Sequence, residues 1–347
     1  MTLLAFDWAI IIEKLILIVI IVLTTLLITL YTTFGERKVA AILQDRPGPN
    51  RAGPFGLLQP LADGLKLIMK EEIIPTSASK WLFILGPGLA MTASLMTSAV
   101  IPWGTELHLF GRTIELQIAD INIGLLYVFA VVSMGVYGIM IGGWASNNKF
   151  SLMSALRAAS QAISYEIAMG LALIALLMTT GSLSLKTIVA DQVAGNWWNV
   201  VYQPLGFLIF FICAMAECNR TPFDLPEAEN ELNFGYHQEY SSMKLGFYLF
   251  AEYVNMIMSS AIMASMYFGG YDLPFFDEST VAPNIAAIIG GGTLLLKIVL
   301  FVFLFMWIRW TIPRFRYDQL MNLGWKKMIP LALLNMLITG ALILSKL

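Results

Sequence analysis

The chain is dominated by eight long apolar stretches, at about 10–34, 81–102, 121–145, 157–179, 203–218, 244–268, 284–309 and 327–345. About 20 consecutive apolar residues suffice for a helix to cross the roughly 30 Å hydrocarbon layer of a bilayer. Backbone amides in that layer find no water, so each lipid-exposed segment must satisfy them internally, as an α-helix does. The expected fold is therefore all-α, a polytopic transmembrane helical bundle of about eight spans. The fifth stretch is the shortest, and Glu217 blurs its end. The first is too long for a signal-peptide core and lacks a small-residue cleavage site, so it is expected to be retained.

Composition agrees with the spans. Only 13% of the 347 residues are charged and 58% are hydrophobic, whereas soluble domains carry about 25% charged residues. Disordered chains are poor in apolar and aromatic residues, which excludes that class as well. The net charge of −2 offers nothing to nucleic acid, and no such partner is expected. No linker, low-complexity tract or internal repeat divides the chain, so residues 1–347 read as one integral membrane domain.

Orientation follows from loop charge, because Lys and Arg concentrate on the cytoplasmic side. The loops after spans one, three, five and seven hold 16 Lys and Arg, against 3 in the other loops and termini. Both termini are thus expected outside, with the odd loops on the cytoplasmic (or matrix) face.

Redox centres of the chain's own are excluded by counting ligands. Two cysteines, Cys213 and Cys218, are too few for an all-Cys iron–sulfur cluster. The only histidines, His108 and His237, lie in different polar stretches and read as ordinary loop residues. There is no GxGxxG and no P-loop. No cofactor-binding or metal-binding residue is expected, and any electrons must travel in another subunit.

The first inside loop, 35–79, combines the turn-rich stretch RPGPNRAGP with an amphipathic segment. Leu57, Leu58, Leu61, Leu65, Ile68 and Met69 recur at helical spacing, while Gln59, Asp63, Lys66 and Lys70 share another face. This predicts a short interfacial helix between spans one and two. By spacing alone it is a membrane-surface anchor; the charged Glu36-Arg37-Lys38 beside it suggests instead the wall of a wet cavity.

Carboxylates within spans cost at least about 2.5–3.5 kcal/mol each, so each one points to function. Glu166 is nearly central in the fourth span, opposite a face carrying Arg157, Ser160, Gln161 and Ser164, which predicts protein on both sides of that helix. Glu252 heads a polar stripe with Asn255 and Ser259, with Tyr248 one turn before it. Glu217 closes the fifth span. Glu13 and Lys14 read as snorkelling structural residues. Lys297 is the only mid-span cation and cannot neutralise three acids, which favours proton handling over structural pairing.

The loop 217–244 carries six acids against two bases, on the side where positive charge is expected. The loop 309–327 carries five bases against one acid. Docked together they would form a polar, aromatic-lined site able to bind a polar headgroup or a peripheral partner.

At this point the residues resemble one family. GERKVAAILQDRPGPNRAGPFGLLQPLADGLKL, SALRAASQAISYE, AECNRTPFDLPEAENEL with GYHQEY, AEYVNMI and RWTIPRFRYDQLMNLGWK are similar, in order and spacing, to the H-subunit (chain 1) family of proton-translocating NADH–quinone oxidoreductase, respiratory complex I. The similarity runs from about Glu36 to Lys327. Departures are small: Cys218 replaces another small residue, and some members carry an additional span.

The resemblance implies a membrane subunit of a translocase, in which the inside loops 35–79, 217–244 and 309–327 form the junction with the peripheral arm and help enclose a quinone chamber. Quinone, ubiquinone or menaquinone, is the implied substrate; NADH, FMN and iron–sulfur clusters belong to partner subunits. The implied partners are peripheral-arm subunits carrying the terminal cluster, adjacent small membrane subunits and the bilayer, in a bacterial inner membrane. On matching positions Arg37, Arg46, Asp63, Arg309 and Arg314 would bind quinone. Glu36, Glu166, Glu217, Asp224, Glu227, Glu229, Glu231 and Glu252, with Tyr165 and Tyr253, would form the acidic proton path. It also turns the amphipathic segment from an anchor into a chamber wall. Two alternatives remain: the equivalent subunit of a membrane-bound hydrogenase, or a stand-alone proton-coupled transporter, which would favour an inverted repeat.

Overall fold

A computed structural model describes residues 8–109, 111–195, 197–273 and 282–346. Thirteen α-helices occur among them: α1 (Trp8–Leu43), α2 (Gln59–Met69), α3 (Lys80–Met96), α4 (Gly124–Ala145), α5 (Lys149–Thr180), α6 (Leu185–Gly195), α7 (Asn199–Tyr202), α8 (Pro204–Glu217), α9 (Glu229–Leu232), α10 (Ser242–Tyr267), α11 (Pro283–Thr311), α12 (Tyr317–Asn322) and α13 (Ile329–Lys346). One antiparallel hairpin, β1 (Glu106–Leu109) with β2 (Arg112–Glu115), lies in the loop after α3.

Seven helical segments of the described residues are long and apolar enough to cross a membrane. The fifth expected span is α8, with 14 residues. At 1.5 Å per residue it is about 21 Å long, short of the hydrocarbon thickness. It is held against α5, α10 and α13. The last span is continuous from Tyr317 to Ser345, with α12 passing through a widened helical turn at Leu323–Met328 into α13.

Helix α10 is the hub, and two-thirds of its most apolar window is buried, against 17% for α1. It touches α1, α2, α3, α6, α8 and α11. The α3–α4 pair packs by backbone contact. A Cβ on Gly138 would lie 2.7 Å from the Ala90 amide nitrogen and 2.8 Å from the Gly86 carbonyl oxygen, so glycine permits this approach.

Lys297 binds no carboxylate of the inner acids. Its Nζ donates to the carbonyls of Phe268, Gly270 and Asp272 at 2.6–2.8 Å, and lies 4.7 Å from the Trp198 ring centre. A cation there satisfies carbonyls just beyond the C-terminus of α10. Lys14 likewise donates to the Gln117 carbonyl at 2.7 Å.

The surroundings of α5 differ from the sequence expectation. On its polar face Gln161 and Ser164 are buried and Arg157 and Ser160 half-buried, but Leu156, Ile163, Ile167 and Ile174 on another face are exposed. Helices of the same chain therefore enclose α5 only in part.

Candidate functional site

Helices α1 and α11 run on past their apolar stretches, so each carries charge on its last turns into the inside layer. At 36 residues α1 is about 54 Å long, well over the hydrocarbon thickness. Its Glu36 is buried, and accepts hydrogen bonds from Arg309 on the last turn of α11 and from the Tyr253 hydroxyl of α10. One residue on, Arg37 meets Asp63 of α2 at 2.7 Å.

These helices enclose a cavity of about 360 Å³ with the loop after α8. Glu36, Arg37, Asp63, Glu227, Glu229, Tyr253 and Arg309 line it together with Leu30, Leu67, Phe234, Leu249, Phe250 and Trp310. Charged and apolar walls in one space of this size suit a molecule with a polar head and an apolar body. A second groove of about 670 Å³ shares Arg37 and Trp310 with the first, and Arg46 lines it with Arg51 and the RPGPN turn.

Helix α2 serves both readings of the amphipathic segment. Pro60, Asp63, Gly64 and Leu67 face the cavity. Leu57, Leu58, Leu61, Leu65, Ile68 and Met69 point away and are exposed, Met69 at 84%.

The acidic loop folds inward beneath α10. Arg220 lies 4.0 Å over the Tyr253 ring, and its Nη2 is 3.3 Å from Glu252 Oε2. Burial alone would lower Arg220, but Tyr253, Glu252, Glu36 and Glu227 around it outweigh that and keep it cationic. The Tyr236 hydroxyl donates to Glu252 Oε1 at 2.8 Å. His237 Nδ1 is 3.7 Å from Glu227 Oε1. Burial pushes His237 down to about 4, with Arg220 adding to the effect against Glu227, so the imidazole is neutral at pH 7.

Asp224 meets Arg314 at 3.0 Å. Burial first, then the neighbouring Glu227, push its carboxyl up to about 8 against the opposing pull of Arg314. The two inside loops do dock, through this pair, the Phe315 amide donating to the Pro222 carbonyl, and the Phe223–Phe315 ring contact. Much of the compensation lies elsewhere, however. Arg316 pairs with Asp318 of its own loop, Arg309 serves Glu36, and Arg157 of α5 meets Glu231 at 2.7 Å.

Deeper in the bundle, Glu217 and Glu252 border a small space of about 30 Å³ shared with Asn219, Tyr236, Tyr248 and Asn255. That is room for about one water molecule with polar partners. Glu217 lies within electrostatic range of Glu166, which accepts from Ser133 Oγ at 2.7 Å.

Most sequence candidates thus converge. Glu36, Glu227, Glu229, Arg37, Asp63, Tyr253 and Arg309 line the cavity, and Glu252, Glu217, Glu166 and Asp224 form the interior chain beside it. Three sit apart. Tyr165 donates to the Leu320 carbonyl at 3.1 Å, on a face of α5 turned toward α12; Glu231 is exposed; Arg46 lines the adjoining groove. Tyr248, placed by spacing beside Glu252, instead donates to the Gly138 carbonyl at 3.1 Å.

The sequence reading missed three residues: Arg220, Tyr236 and His237. His237 is 1% exposed, not the ordinary loop histidine its surroundings suggested. Its signal was its place between tyrosines in a loop of acids. Glu227, His237 and Glu252 each bring one donor atom within 4.8 Å of the others, a set that suits a metal by chemistry, although Arg220 already offers a positive charge to Glu252.

The NADH dehydrogenase family profile matches residues 15–340. Relatives include the NADH-quinone oxidoreductase H subunit 1 of Cytophaga hutchinsonii, 66% identical over 96% of this chain and 97% of its own. The H subunit of Flavobacterium johnsoniae is 62% identical over 97% of this chain and 96% of its own. The H subunit 1 of Geobacter metallireducens is 48% identical over the full length of both.

Proposed function

The chain belongs to the H-subunit family of NADH–quinone oxidoreductase, and from that premise we propose that its inner cavity receives the quinone headgroup and that its buried acids carry the accompanying protons. The protein is a multi-pass membrane subunit of complex I, a proton-translocating oxidoreductase, and family membership sets aside the transporter and hydrogenase alternatives.

The observation that carries the proposal is the continuity from cavity wall to bundle interior. Glu36 and Tyr253 line the cavity, Arg220 stacks on Tyr253 and reaches Glu252, and Glu252 shares a water-sized space with Glu217. Arg37, Asp63 and Arg309 would hold the quinone head, with Arg46 at the approach and Arg314 acting through Asp224. Glu36, Asp224, Glu227, Glu229, Glu252, Glu217 and Glu166 would form the path, with Tyr253 at its mouth. Tyr165 and Glu231 support it only from outside.

Reduction of a quinone by two electrons takes up two protons. NADH, flavin and iron–sulfur clusters in peripheral subunits would supply the electrons. This chain supplies orientation and protons: Arg309 and Arg37 stabilise negative charge developing on the head, and nearby carboxyls donate. The exposed face of α2 would rest in the membrane interface while its other face walls the chamber. By loop charge the inside loops would face the cytoplasm and both termini would lie outside, in what we take to be a bacterial inner membrane.

Substituting Glu217→Gln or Glu252→Gln in the assembled complex is expected to abolish proton-coupled quinone reduction. NADH oxidation by an artificial acceptor should remain. Fully coupled turnover in both variants would sink the acidic path.

A further inference from the structure

Among the described residues, twelve buried side-chain polar atoms lack a hydrogen-bond partner, and seven of them belong to Glu217, Arg220, Asp224, His237 and Glu252, although Arg220 Nη2 and Glu252 Oε2 form an ion pair with each other at 3.3 Å. Both ring nitrogens of His237 are among them. Each buried polar atom left without a partner costs about 1–3 kcal/mol, so a cluster of them calls for a shared partner. The His237 ring is fixed by Tyr236 at 3.9 Å and by Phe234 and Tyr248 at 5.6 Å between centres, none of which offers its nitrogens a bond.

The neighbouring acids are placed for one small molecule. Donor atoms of Glu227, His237 and Glu252 lie no more than 4.8 Å apart. A water with hydrogen bonds of about 2.8 Å can bridge atoms up to about 5.6 Å apart, so one molecule is within reach of all three. Arg220, 3.3 Å from Glu252, already supplies a positive charge there and opposes a further cation. Neutral imidazole offers one N–H and one lone pair, so it can hold a water in a chosen orientation.

We propose that His237 holds a single water between Glu227 and Glu252, and that this water is the exchange point through which protons pass from the cavity acids to the bundle interior. The inference rests on the acidic path proposed above and deepens it. In the step, a proton arriving at Glu227 from the cavity passes to the water oxygen while the water gives one of its own to the Glu252 carboxylate. The water is regenerated, no electron moves, and the reverse transfer follows the same atoms. The His237 lone pair keeps the water's second O–H out of the exchange. His237 is therefore a positioning residue, and remains neutral because burial holds its pKa near 4.

The test uses the assembled complex in proteoliposomes with His237→Gln, which keeps a donor and an acceptor, and His237→Phe, which keeps neither. His237→Gln is expected to stay within about threefold of the wild-type quinone reductase rate and to pump. His237→Phe is expected to lose at least about tenfold. Redox-induced infrared difference spectra should show a water O–H band that shifts in H2(18)O in wild type and His237→Gln and is missing from His237→Phe. Wild-type turnover in His237→Phe, equal loss in both variants, or no isotope-sensitive band in wild type would each overturn the proposal. If His237→Phe does not assemble, His237→Met takes its place. Glu252→Gln in the same preparation separates the two levels. An inactive Glu252→Gln beside an unimpaired His237→Phe removes the water site alone, whereas two active variants remove the path itself.

Discussion

The Tyr236 hydroxyl donates to Glu252 Oε1 at 2.8 Å, tying a turn of the acidic loop to a carboxylate of the central helix. Both residues are buried, so Glu252 has no bulk water to replace this donor. A buried acceptor that loses its donor forfeits about 1–3 kcal/mol of stabilisation. If that stabilisation acts on the transfer step, Tyr236→Phe slows quinone reduction roughly tenfold or more. Turnover of the reconstituted complex by NADH and a soluble quinone checks this; a rate within twofold of wild type would remove Tyr236 from the path.

Glu36 and Arg309 join the ends of α1 and α11 at the cavity wall. Removing one partner of a buried ion pair leaves an uncompensated charge, at a cost of about 3–5 kcal/mol. Arg309→Met and Glu36→Gln are each expected to reduce quinone reductase activity more than tenfold. The double variant should be no worse than Arg309→Met alone. Strictly additive losses in this cycle would show that the two side chains act separately.

Asp224 titrates near pH 8, because burial and the nearby Glu227 outweigh Arg314. Below that pH its carboxyl is protonated, and above it ionised. A protonated-carboxyl C=O band should therefore be present at pH 6.5, fade with a midpoint near 8, and be missing from Asp224→Asn. In Arg314→Met, which lacks the charge favouring the carboxylate, the midpoint moves to higher pH. Infrared titration of the purified complex reads both outcomes, and a band that fades near pH 4 contradicts the assignment.

Lys297 is a structural cation held by three backbone carbonyls at the far end of α10. Lys297→Met removes their shared donor and is expected to destabilise the complex by about 1–3 kcal/mol. Thermal inactivation of the complex should shift down by several degrees. Activity per assembled complex should stay at the wild-type level, since Lys297 lies outside both the cavity and the chain of acids.

Much of the molecule was legible in the sequence because the bilayer imposes a strong one-dimensional constraint. Long apolar runs can only be buried or face lipid, so their positions follow from hydropathy. The same solvent makes mid-span acids expensive, which singled out Glu166, Glu217 and Glu252 before any contact was known. Spacing also described α2 correctly as two-faced, while leaving open which face mattered. Both do, because opposite sides of one helix meet different surroundings.

What the tertiary structure decided was pairing. Arg220, Tyr236 and His237 look like ordinary loop residues in one dimension, since a loop's polarity does not disclose whether it folds inward. Only the return of the loop beneath α10 buries them and aims them at Glu252 and Glu227. The same holds for Tyr165 and Tyr248, adjacent to acids by number or helical turn, whose hydroxyls packing directs to carbonyls elsewhere. Hydrophobicity is a property each residue carries with it, and so can be read along the chain. Electrostatic coupling depends on distances between segments far apart in sequence, and those exist only once the helices have packed.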